Sequence, residues 1–393
     1  MKDRRKDLFR RVLWIALAVL GVAGLLVAIW PRQNGEPLQS SLAAAAAAPD
    51  LSGFARAYRP IQLSFPADFG PHPEFQTEWW YYTGNLETPD GRHFGYQLTF
   101  FRRSLQPPAQ AAQRSSDWAA EQVYMAHFSL TDVTGGRYQS FQRLERGAAG
   151  LSGAQAAPYQ VWLDNWSVEE TAPRVYHLKA NQDKLSIDLQ LTDSKGPVLQ
   201  GDQGYSRKGS LPGQASYYYS QTRLISQGTI QTEAGRYAVS GLSWMDHEFS
   251  TSYLSKDQTG WDWFAIQLDD GSEIMLFHLR KADGSLDPVS SGTLIAPDGS
   301  TRALAQADFQ ISVEATWKSP HTQAAYPGRW TVKIPSAGVS LEIEPYLADQ
   351  EFRGSYAYWE GAVRIRGSRS GKAVQGSGYV ELTGYAGTMG GQF

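Results

Sequence analysis

One strand pattern occurs twice in this chain, and this repetition constrains the fold more than any other feature. Residues 79–86 read Trp-Trp-Tyr-Tyr-Thr-Gly-Asn-Leu, and residues 261–268 read Trp-Asp-Trp-Phe-Ala-Ile-Gln-Leu. Each copy runs into an Asp-Gly turn, at Asp90-Gly91 or Asp270-Gly271, and a second apolar run follows the turn. Both copies are therefore predicted to form β-hairpins.

A second pattern, Val-x-Gly-x-small-aromatic-x-acid, also occurs twice. It covers residues 239–246, which end at Asp246, and residues 374–381, which end at Glu381. Because the two patterns recur in the same order, the chain is predicted to contain two related β-domains that arose by duplication.

Short strand-like runs alternate with turn signals from Tyr58 onward, which is typical of antiparallel barrels or sandwiches. The chain has 393 residues, enough for two domains that each bury a core. We predict an all-β protein whose two packed antiparallel domains span residues 58–252 and 253–393. Residues 31–57, rich in Pro, Gln, Ser and Ala, are predicted to be a flexible linker ahead of them.

The N-terminus carries a membrane-targeting segment. Residues 12–30 are nineteen apolar positions without a charge, and six basic residues precede them. A spanning helix needs roughly 20 apolar residues and a signal-peptide core about 7 to 15, so the length favours an uncleaved transmembrane anchor in residues 1–30. The alternative is a signal peptide cleaved near Ala48. In both cases the rest of the chain is expected to be extracytoplasmic, in the periplasm.

Composition and motifs exclude several classes of function. Beyond the first eleven residues the chain carries 30 basic and 37 acidic side chains, so no nucleic-acid partner is expected. The absence of cysteine excludes disulfides, thiolate metal ligands and cysteine nucleophiles. No His-x-His spacing, Gly-x-Ser-x-Gly elbow, P-loop or dinucleotide fingerprint occurs, so neither a metal nor a cofactor is predicted.

Five carboxyl groups stand within two positions of a Trp or Tyr in the sequence: Glu78, Asp246, Asp262, Glu360 and Glu381. Burial in aromatic surroundings raises the pKa of a carboxyl group and can keep it protonated, and thus able to donate a proton, at neutral pH. The alternative is structural, because a buried carboxylate also accepts hydrogen bonds from backbone groups, indole N–H or arginine.

Strand periodicity sorts the neighbours of these acids by face. Trp244, Asp246 and Glu248 share one face of their predicted strand, and His247 lies on the other. Two carboxylates and a tryptophan on one face are an unusual combination of side chains for a strand. That face is therefore a candidate functional surface.

The first repeat is aromatic on both faces. Glu78, Trp80 and Tyr82 point one way, and Trp79 and Tyr81 point the other. We expect both faces to be buried, between a barrel interior and the neighbouring domain or a lid.

Two histidines, His127 and His247, lie within predicted strands. A lone histidine in a strand is more often a structural residue with satisfied hydrogen bonds than a catalytic one. His247 is the stronger candidate for function, because it lies between two acids in the sequence.

Five separated segments resemble the lipocalin-like AttH and carotenoid 1,2-hydratase (hydroxyneurosporene synthase) family, over roughly residues 57–393. In chain order, the segments are residues 72–86, 244–248, 260–264, 358–361 and 378–385. The resemblance implies two packed lipocalin-like β-barrels and an apolar lipid or isoprenoid ligand in a barrel cavity. Some members of this family hydrate acyclic carotenoids without a cofactor, and others resemble extracytoplasmic components encoded beside ABC transporters.

If the reaction is hydration, the resemblance implies an acid that protonates an alkene and aromatic faces that stabilise the cation. Asp246 or Asp262 would be the acid, and His247 would orient it or activate water. The rings facing the cation would be Trp244, Trp261 and Trp263. Position 249 is Phe249 where relatives commonly carry tryptophan, which counts against hydratase activity.

The sequence therefore leaves the question of catalysis open. The first interpretation is a protein at the inner membrane that binds an apolar lipid or isoprenoid and serves an ABC transport system, with the permease as partner. The alternative is a cofactor-free hydratase-like lyase or isomerase with a buried carboxylic acid, and a third is an interaction module without a cavity. The expected ligand-binding residues are Glu78, Trp80, Tyr82, His127, Trp244, Glu248, Trp261, Trp263, Trp359, Glu360, Tyr379 and Glu381.

Overall fold

Alternation of buried and exposed side chains builds most elements of the computed structural model, which describes residues 51–110, 121–251 and 254–389. In the strand Leu185–Asp193, for example, every second side chain is buried and most of those between them are exposed. The regular elements of the described residues are β-strands and four 3₁₀ turns, at Ala67–Phe69, Pro108–Gln110, Gln306–Asp308 and Pro335–Ala337. The predicted all-β class is confirmed.

The first sheet, called the first barrel here, is antiparallel and barrel-like. Its strands pair in the order β4-β3-β2-β1-β13-β12-β9-β8-β7-β6-β5, with β10 and β11 paired to β12. The strands are β1 (Thr77–Glu87), β2 (His93–Ser104), β3 (Gln122–Asp132), β4 (Arg137–Arg146), β5 (Ser152–Ala156), β6 (Tyr159–Leu163), β7 (Trp166–Ala172), β8 (Val175–Gln182), β9 (Leu185–Asp193), β10 (Val198–Leu199), β11 (Tyr205–Arg207), β12 (Ala215–Thr232) and β13 (Gly235–Ser250).

The second sheet, the second barrel, follows the same plan. Its strands pair in the order β17-β16-β15-β14-β23-β22-β20-β19-β18, with β21 paired to β22. The strands are β14 (Gln258–Leu268), β15 (Glu273–Lys281), β16 (Ser291–Ile295), β17 (Thr301–Ala305), β18 (Gln310–Lys318), β19 (Ala325–Ile334), β20 (Val339–Pro345), β21 (Glu351–Arg353), β22 (Ala357–Arg369) and β23 (Lys372–Leu382).

The two repeats occupy equivalent places in the two sheets. Strands β1 and β2 form the first predicted hairpin, and β14 and β15 form the second. Gly91 and Gly271 take φ angles of 86° and 83° in the two turns, a conformation that glycine adopts without a Cβ clash. The second pattern supplies β13, which pairs with β1, and β23, which pairs with β14.

Each barrel has its own apolar core, and a third apolar cluster lies between them. The interior cores are built by residues such as Leu98 and Leu189 in the first barrel and Ile266 and Leu341 in the second. The cluster between them combines side chains of both sheets, including Tyr81, Tyr218 and Trp244 with Trp263, Phe277 and Tyr379. This contact surface, the seam, is where the two repeats meet.

Two hydrogen bonds across the seam are reciprocal. The side-chain amide of Asn85 donates to the carbonyl of Gly378 at 2.9 Å, and that of Gln267 donates to the carbonyl of Ser243 at 3.0 Å. The repeats align Asn85 with Gln267 and Ser243 with Gly378. Each barrel therefore donates to the same place on the other, as in an approximately two-fold symmetric interface.

The two sheets change over between Ser250 and Gln258, and both lie in one compact unit. The predicted boundary falls at residues 252 and 253, which lie outside the described residues. The end of the predicted flexible linker already packs on the first barrel, because Ala57 is buried in a small cluster with Phe75 and Phe249.

The predicted membrane anchor at residues 12–30 and most of the linker also lie outside the described residues. Across the part of the chain that is described, no helix has the length and apolar character needed to cross a membrane.

Candidate functional site

The seam encloses a cavity of about 130 Å³, called the inter-barrel pocket here. Cavities of about 150 Å³ hold benzene, so the enclosed space fits one isoprene-sized segment of a longer molecule. The resemblance placed the ligand inside a barrel, but the barrel interiors are filled by their own apolar cores. The pocket instead lies between the barrels.

The walls of the pocket carry both copies of the repeat. Lys208, Tyr218, Glu248 and Phe277 also line it. The wall residues include four pairs of equivalent positions: Trp79 and Trp261, Tyr81 and Trp263, Phe101 and Leu279, Asp246 and Glu381. The pocket therefore lies near the approximate two-fold axis that relates the barrels.

Strand register places Asp246 and Glu381 in equivalent rows of side chains in the two barrels. In the first barrel Tyr81 lies opposite Asp246, and Asp246 lies opposite Ser220. Directly opposed side chains of an antiparallel pair share a face, so the three form one row, called the first row. The second row consists, in the same way, of Trp263, Glu381 and Glu360 in the second barrel.

Asp246 is buried and accepts three hydrogen bonds from neutral donors. The donors are the Tyr218 hydroxyl at 2.6 Å, the Ser220 hydroxyl at 2.5 Å and the Trp244 indole N–H at 2.6 Å. Burial raises its pKa to about 7, an effect that the negative charge of Glu248 reinforces and the three donors oppose. Asp246 can therefore gain or lose a proton near neutral pH.

Glu381 has fewer hydrogen-bond donors than Asp246, but its pKa is raised to a similar value. The Trp261 indole N–H donates to its Oε2 atom at 2.9 Å, and the side chain is partly accessible through the pocket. Burial, together with the negative charges of Asp246 and Glu248, raises its pKa to about 7. Two acids that titrate near neutrality thus line one apolar cavity.

An ion pair borders the same cavity. The ammonium group of Lys208 lies 2.8 Å from Glu248 Oε1, and it sits over the rings of Phe277 at 4.8 Å and Tyr218 at 5.2 Å. Lys208 is the more exposed partner, with 21% of its side chain accessible against 7% for Glu248. The pocket wall therefore carries an ion pair as well as the two acids among its aromatic rings.

The predicted catalytic residue His247 does not lie in this pocket. As its place on the opposite face implies, it points into the first barrel, where its Nε2 atom lies 2.8 Å from Glu78 Oε1 and its ring stacks on Trp80. The Tyr219 hydroxyl is 2.7 Å from its other ring nitrogen. Burial lowers the pKa of His247, which keeps the ring neutral.

Glu78, a predicted ligand-binding residue, is the centre of that interior network. Its carboxylate pairs with Arg102 at 2.8 Å and accepts a hydrogen bond from the His72 ring at 2.8 Å. Although burial opposes ionisation, the Arg102 charge and the histidine hydrogen bonds hold the pKa of Glu78 well below its usual range. Glu78 is therefore a fully paired structural carboxylate, outside the pocket.

His72, Glu78 and His247 offer three potential ligand atoms within 4.8 Å of one another. The sequence predicted no metal site, and the geometry favours a hydrogen-bonded network here, because Arg102 already neutralises Glu78 and would repel a cation. Phe249 stacks on His72 in this region, with ring centroids 3.5 Å apart. Phe249 thus lies on the opposite face of β13 from Glu248 and does not line the pocket.

The expected ligand-binding residues Trp80 and Tyr82 also belong to the interior of the first barrel. The Trp80 indole donates to the Phe69 carbonyl at 3.1 Å, and the Tyr82 hydroxyl bonds to Tyr159 at 2.8 Å. The other face of β1, which carries Trp79 and Tyr81, lines the pocket. Alternation separated the faces correctly, and the face predicted to bind the ligand is the one that points away from the pocket.

Asp262, the other predicted catalytic acid, is also outside the pocket. Its carboxylate pairs with Arg280 at 2.9 Å and accepts the Tyr385 hydroxyl at 3.1 Å. It alternates with Trp261 and Trp263 along β14, and only those two tryptophans line the pocket. Burial raises the pKa of Asp262, but its partners fix it in a structural role.

The remaining predicted residues divide between the pocket, its borders and the cores. Glu248, Trp261, Trp263 and Glu381 line the pocket, and Trp244 borders it through its bond to Asp246. Trp359 lies in the second core, where its indole donates to the Ala348 carbonyl. Glu360, Tyr379 and His127 are buried at or beside the seam, and His127 lies 2.8 Å from the Tyr358 hydroxyl.

Sequence reasoning missed most of the pocket lining, including Trp79, Tyr81, Lys208, Tyr218 and Phe277. A signal for the first two was present, because the repeat aligns them with Trp261 and Trp263. Phe277 could have been found as the partner of Trp263 in the second hairpin. Nothing local in the sequence marks Lys208 or Tyr218.

Comparison with known proteins identifies the family to which the chain belongs. The AttH-like family matches residues 56–385. The crystal structure of an AttH from Nitrosomonas europaea is 36% identical, with a TM-score of 0.75, over 84% of this chain and 100% of that one. Kievitone hydratase from Nectria haematococca is 16% identical, with a TM-score of 0.64, over 88% of this chain and 98% of that one, and shares the fold.

A curated relative, the dehydratase asqC from Emericella nidulans, is 20% identical over 220 residues. That match spans 52% of this chain and 60% of the relative, which is less than two thirds of its length. The matched residues 56–385 cover both barrels and all the pocket acids. The chain belongs to the AttH-like family.

Proposed function

We propose that the chain is a cofactor-free lyase that adds water to, or removes water from, an apolar molecule held in the inter-barrel pocket. One observation carries this proposal. Asp246 and Glu381, with pKa values of about 7, face a single cavity lined by aromatic rings. At neutral pH one of them can donate a proton while the other accepts one.

Hydration in this site would follow from the two acids. The protonated carboxyl gives its proton to one alkene carbon, the π electrons form the new C–H bond, and the adjacent carbon becomes a cation. Trp261, Trp263 and Tyr81 present ring faces or edges to the cavity and can stabilise that charge. The oxygen of water then bonds to the cation, and its surplus proton passes to the second carboxylate. Dehydration is the same sequence in reverse.

The dimensions and lining of the pocket suit an elongated apolar substrate such as an isoprenoid or a lipid. The enclosed volume of about 130 Å³ fits only the reacting segment. The names of two relatives, a hydratase and a dehydratase, belong to the same reaction class. The likeness to them supports this choice of reaction but does not identify the substrate.

Isotope labelling tests the proposal. The protein would be incubated in ¹⁸O-water with acyclic isoprenoid alkenes and the corresponding tertiary alcohols, and products analysed by mass spectrometry. We expect ¹⁸O incorporation by the native protein and a loss of roughly 10²–10⁴-fold in Asp246→Asn. Asp262→Asn is the matched control, since it removes a buried aspartate outside the pocket and should keep turnover.

A second candidate is the carrier favoured by the sequence, an extracytoplasmic binding protein for an apolar lipid or isoprenoid at the inner membrane, serving an ABC transporter. The aromatic lining of the pocket favours it over the interaction module, which needs no cavity. Retention of the same lipid by the native protein and by Asp246→Asn, without turnover in either, would contradict the lyase and support the carrier. Membrane attachment and the transporter partner remain predictions.

A further inference from the structure

A second polar site adjoins the inter-barrel pocket and is not used by the proposed chemistry. Four side chains from both barrels make it: Glu360 on β22, Tyr379 on β23, Tyr81 on β1 and Tyr138 on β4. The Glu360 carboxyl is close enough to raise the pKa of all three tyrosines. The four groups therefore face one another across the seam.

The polar atoms of this site are enclosed and poorly satisfied. Both carboxyl oxygens of Glu360 and the hydroxyls of Tyr81, Tyr138 and Tyr379 are inaccessible to solvent, and none has a well-aligned hydrogen-bond partner among the described residues. The Tyr81 and Tyr358 hydroxyls do lie close enough to Glu360 to lower its pKa as donors. A buried polar group without a good partner costs about 1–3 kcal/mol, and such groups are rare in native proteins. Five such atoms indicate a ligand that both donates and accepts hydrogen bonds.

The surroundings favour water over an ion. Among the described residues, the groups acting on the Glu360 carboxyl are Glu381, Tyr81 and Tyr358, and none of them carries a positive charge. Hydroxyl and carboxyl groups supply donors and acceptors together, and a buried water typically makes about three hydrogen bonds. Water therefore matches the chemistry of the site.

The site is continuous with the pocket through two residues. Tyr81 lines the pocket and also belongs to the polar site. Glu360 lies directly opposite Glu381, which lines the pocket, in the β22–β23 register. A molecule held by Glu360 would thus lie next to the reacting segment of a bound substrate.

We propose that Glu360, Tyr81, Tyr138 and Tyr379 form a binding site for ordered water that opens to the inter-barrel pocket at Tyr81. We further propose that this water relays a proton between Glu360 and the substrate oxygen during the reaction, a clause that rests on the proposed function. Glu360 then acts through the water, as a positioning residue.

The protonation of Glu360 is consistent with this role. Burial and the neighbouring Glu381 raise its pKa well above the usual range, which favours the protonated form that can donate to a water oxygen. The titratable groups that face Glu360 are Tyr81, Tyr138, Tyr356, Tyr358, Tyr379 and Glu381, with His127 beyond Tyr358.

In dehydration, a proton would pass from Glu360 through the ordered water to the substrate hydroxyl. The C–O bond breaks and its electron pair leaves with the oxygen as water. The adjacent C–H electrons form the double bond, and that proton passes to Asp246 or Glu381. The proton on Asp246 or Glu381 would then return through the ordered water to Glu360, so that the net change is alcohol to alkene and water.

A high-resolution crystal structure tests the first clause without any assay of activity. We expect at least one ordered water within hydrogen-bond distance of the Glu360 carboxyl and of a tyrosine hydroxyl. Direct hydrogen bonds from the tyrosines to Glu360, with no water density between them, would overturn the site. This outcome is independent of whether the protein turns over any substrate.

Two matched substitutions test the second clause. Glu360→Gln should lower kcat by about a hundredfold or more while KM changes by less than about threefold, because the water loses its proton donor and the substrate contacts remain. Glu351→Gln is the control. Glu351 is equally buried in the second barrel, but it accepts hydrogen bonds from Ser319 and Tyr326 and lies outside the pocket.

We expect Glu351→Gln to lower stability and to leave kcat within about twofold of the native value. An unchanged kcat in Glu360→Gln would overturn the second clause, and so would equal losses in the two variants. If the native protein turns over none of the substrates tested, the second clause fails together with the proposed function, and the crystal structure alone decides the first.

Discussion

Glu78 and Glu360 are both fully buried glutamates, yet their surroundings shift their pKa values in opposite directions. In the interior of the first barrel, Glu78 is paired with Arg102 at 2.8 Å and its pKa lies well below the usual range. At the seam, no positively charged group acts on Glu360 among the described residues, and its pKa lies well above that range. The two glutamates are equally buried, so the cation beside Glu78 accounts for the difference between them.

The acids of the pocket lie between these two extremes. Asp246 has three neutral donors and no arginine or lysine partner, and its pKa is about 7. A buried ion pair is strongly destabilised when one partner is removed, whereas a neutral acid can exchange its proton at little cost. The interior network therefore serves stability, and the seam is where proton transfer is feasible.

Removal of the charge at Glu78 tests this comparison most strongly. Glu78→Gln leaves the Arg102 guanidinium buried without its counter-charge, and we expect the free energy of unfolding to fall by about 3–5 kcal/mol. Urea denaturation would measure this loss. Turnover per folded molecule should be unchanged, because Glu78 lies outside the pocket.

The same substitution at Glu360 provides the control. Glu360 has no cation to leave behind, so Glu360→Gln should keep or raise the free energy of unfolding. Equal losses of stability in the two variants would contradict the distinction between the interior and the seam.

The pH dependence of stability tests the comparison between the interior and the seam through Glu381. The pKa of Glu381 is about 7 in the folded state against 4.5 ordinarily, so the folded protein keeps a proton that the unfolded chain releases. The stability of the native protein therefore falls as pH rises through this window. Glu381→Gln lacks this titration, and its stability relative to the native protein should rise by about 2 kcal/mol from pH 4.5 to 7.5.

Thermal or urea denaturation at a series of pH values would measure that difference. A constant difference between the two proteins across the range would mean that Glu381 is ionised in the folded state, as Glu78 is. That result would remove the contrast between the interior and the seam.

The smallest expected effect concerns a single hydrogen bond. Trp261→Phe removes the indole N–H that donates to Glu381 Oε2 at 2.9 Å. Because that bond favours the ionised form, its loss should raise the pKa of Glu381 by about one unit. NMR titration of ¹³C-labelled glutamate carboxyl groups would measure the shift.

Trp359→Phe serves as the matched control for Trp261→Phe. Its indole donates to the Ala348 carbonyl inside the second barrel, so its loss should lower stability without moving the pKa of Glu381. A shift of the same size in both variants would show that general loosening of the second barrel, and not the Trp261 bond, sets that pKa.

Much of the fold and a part of the pocket lining could be predicted from local sequence. The repeated hairpins were correct because Asp-Gly turns and alternating apolar residues act over short distances. The predicted site residues Asp246, Glu381, Trp261 and Trp263 all line the pocket. Trp80 does not, because alternation separates Trp80 from Tyr81 on β1 without telling which side meets the other barrel.

His247 and Asp262 show a second limit of sequence reasoning. Both stand beside pocket residues in the chain, and both are held elsewhere by partners distant in sequence, Glu78 for His247 and Arg280 for Asp262. An acid beside a tryptophan looks the same in the sequence whether a cation reaches it or not. Adjacency along the chain therefore could not separate structural from reactive groups.

The sequence by itself determined the elements, since turn chemistry and side-chain periodicity act within a few residues, and it marked the duplication that makes Asp246 and Glu381 equivalent. Only the tertiary structure decided which acids lack a cation. That property depends on whether a side chain such as Arg102 reaches a particular carboxylate across the packed sheet. Such contacts join residues far apart in the chain, and they distinguish Glu78 from Glu360 and Asp246.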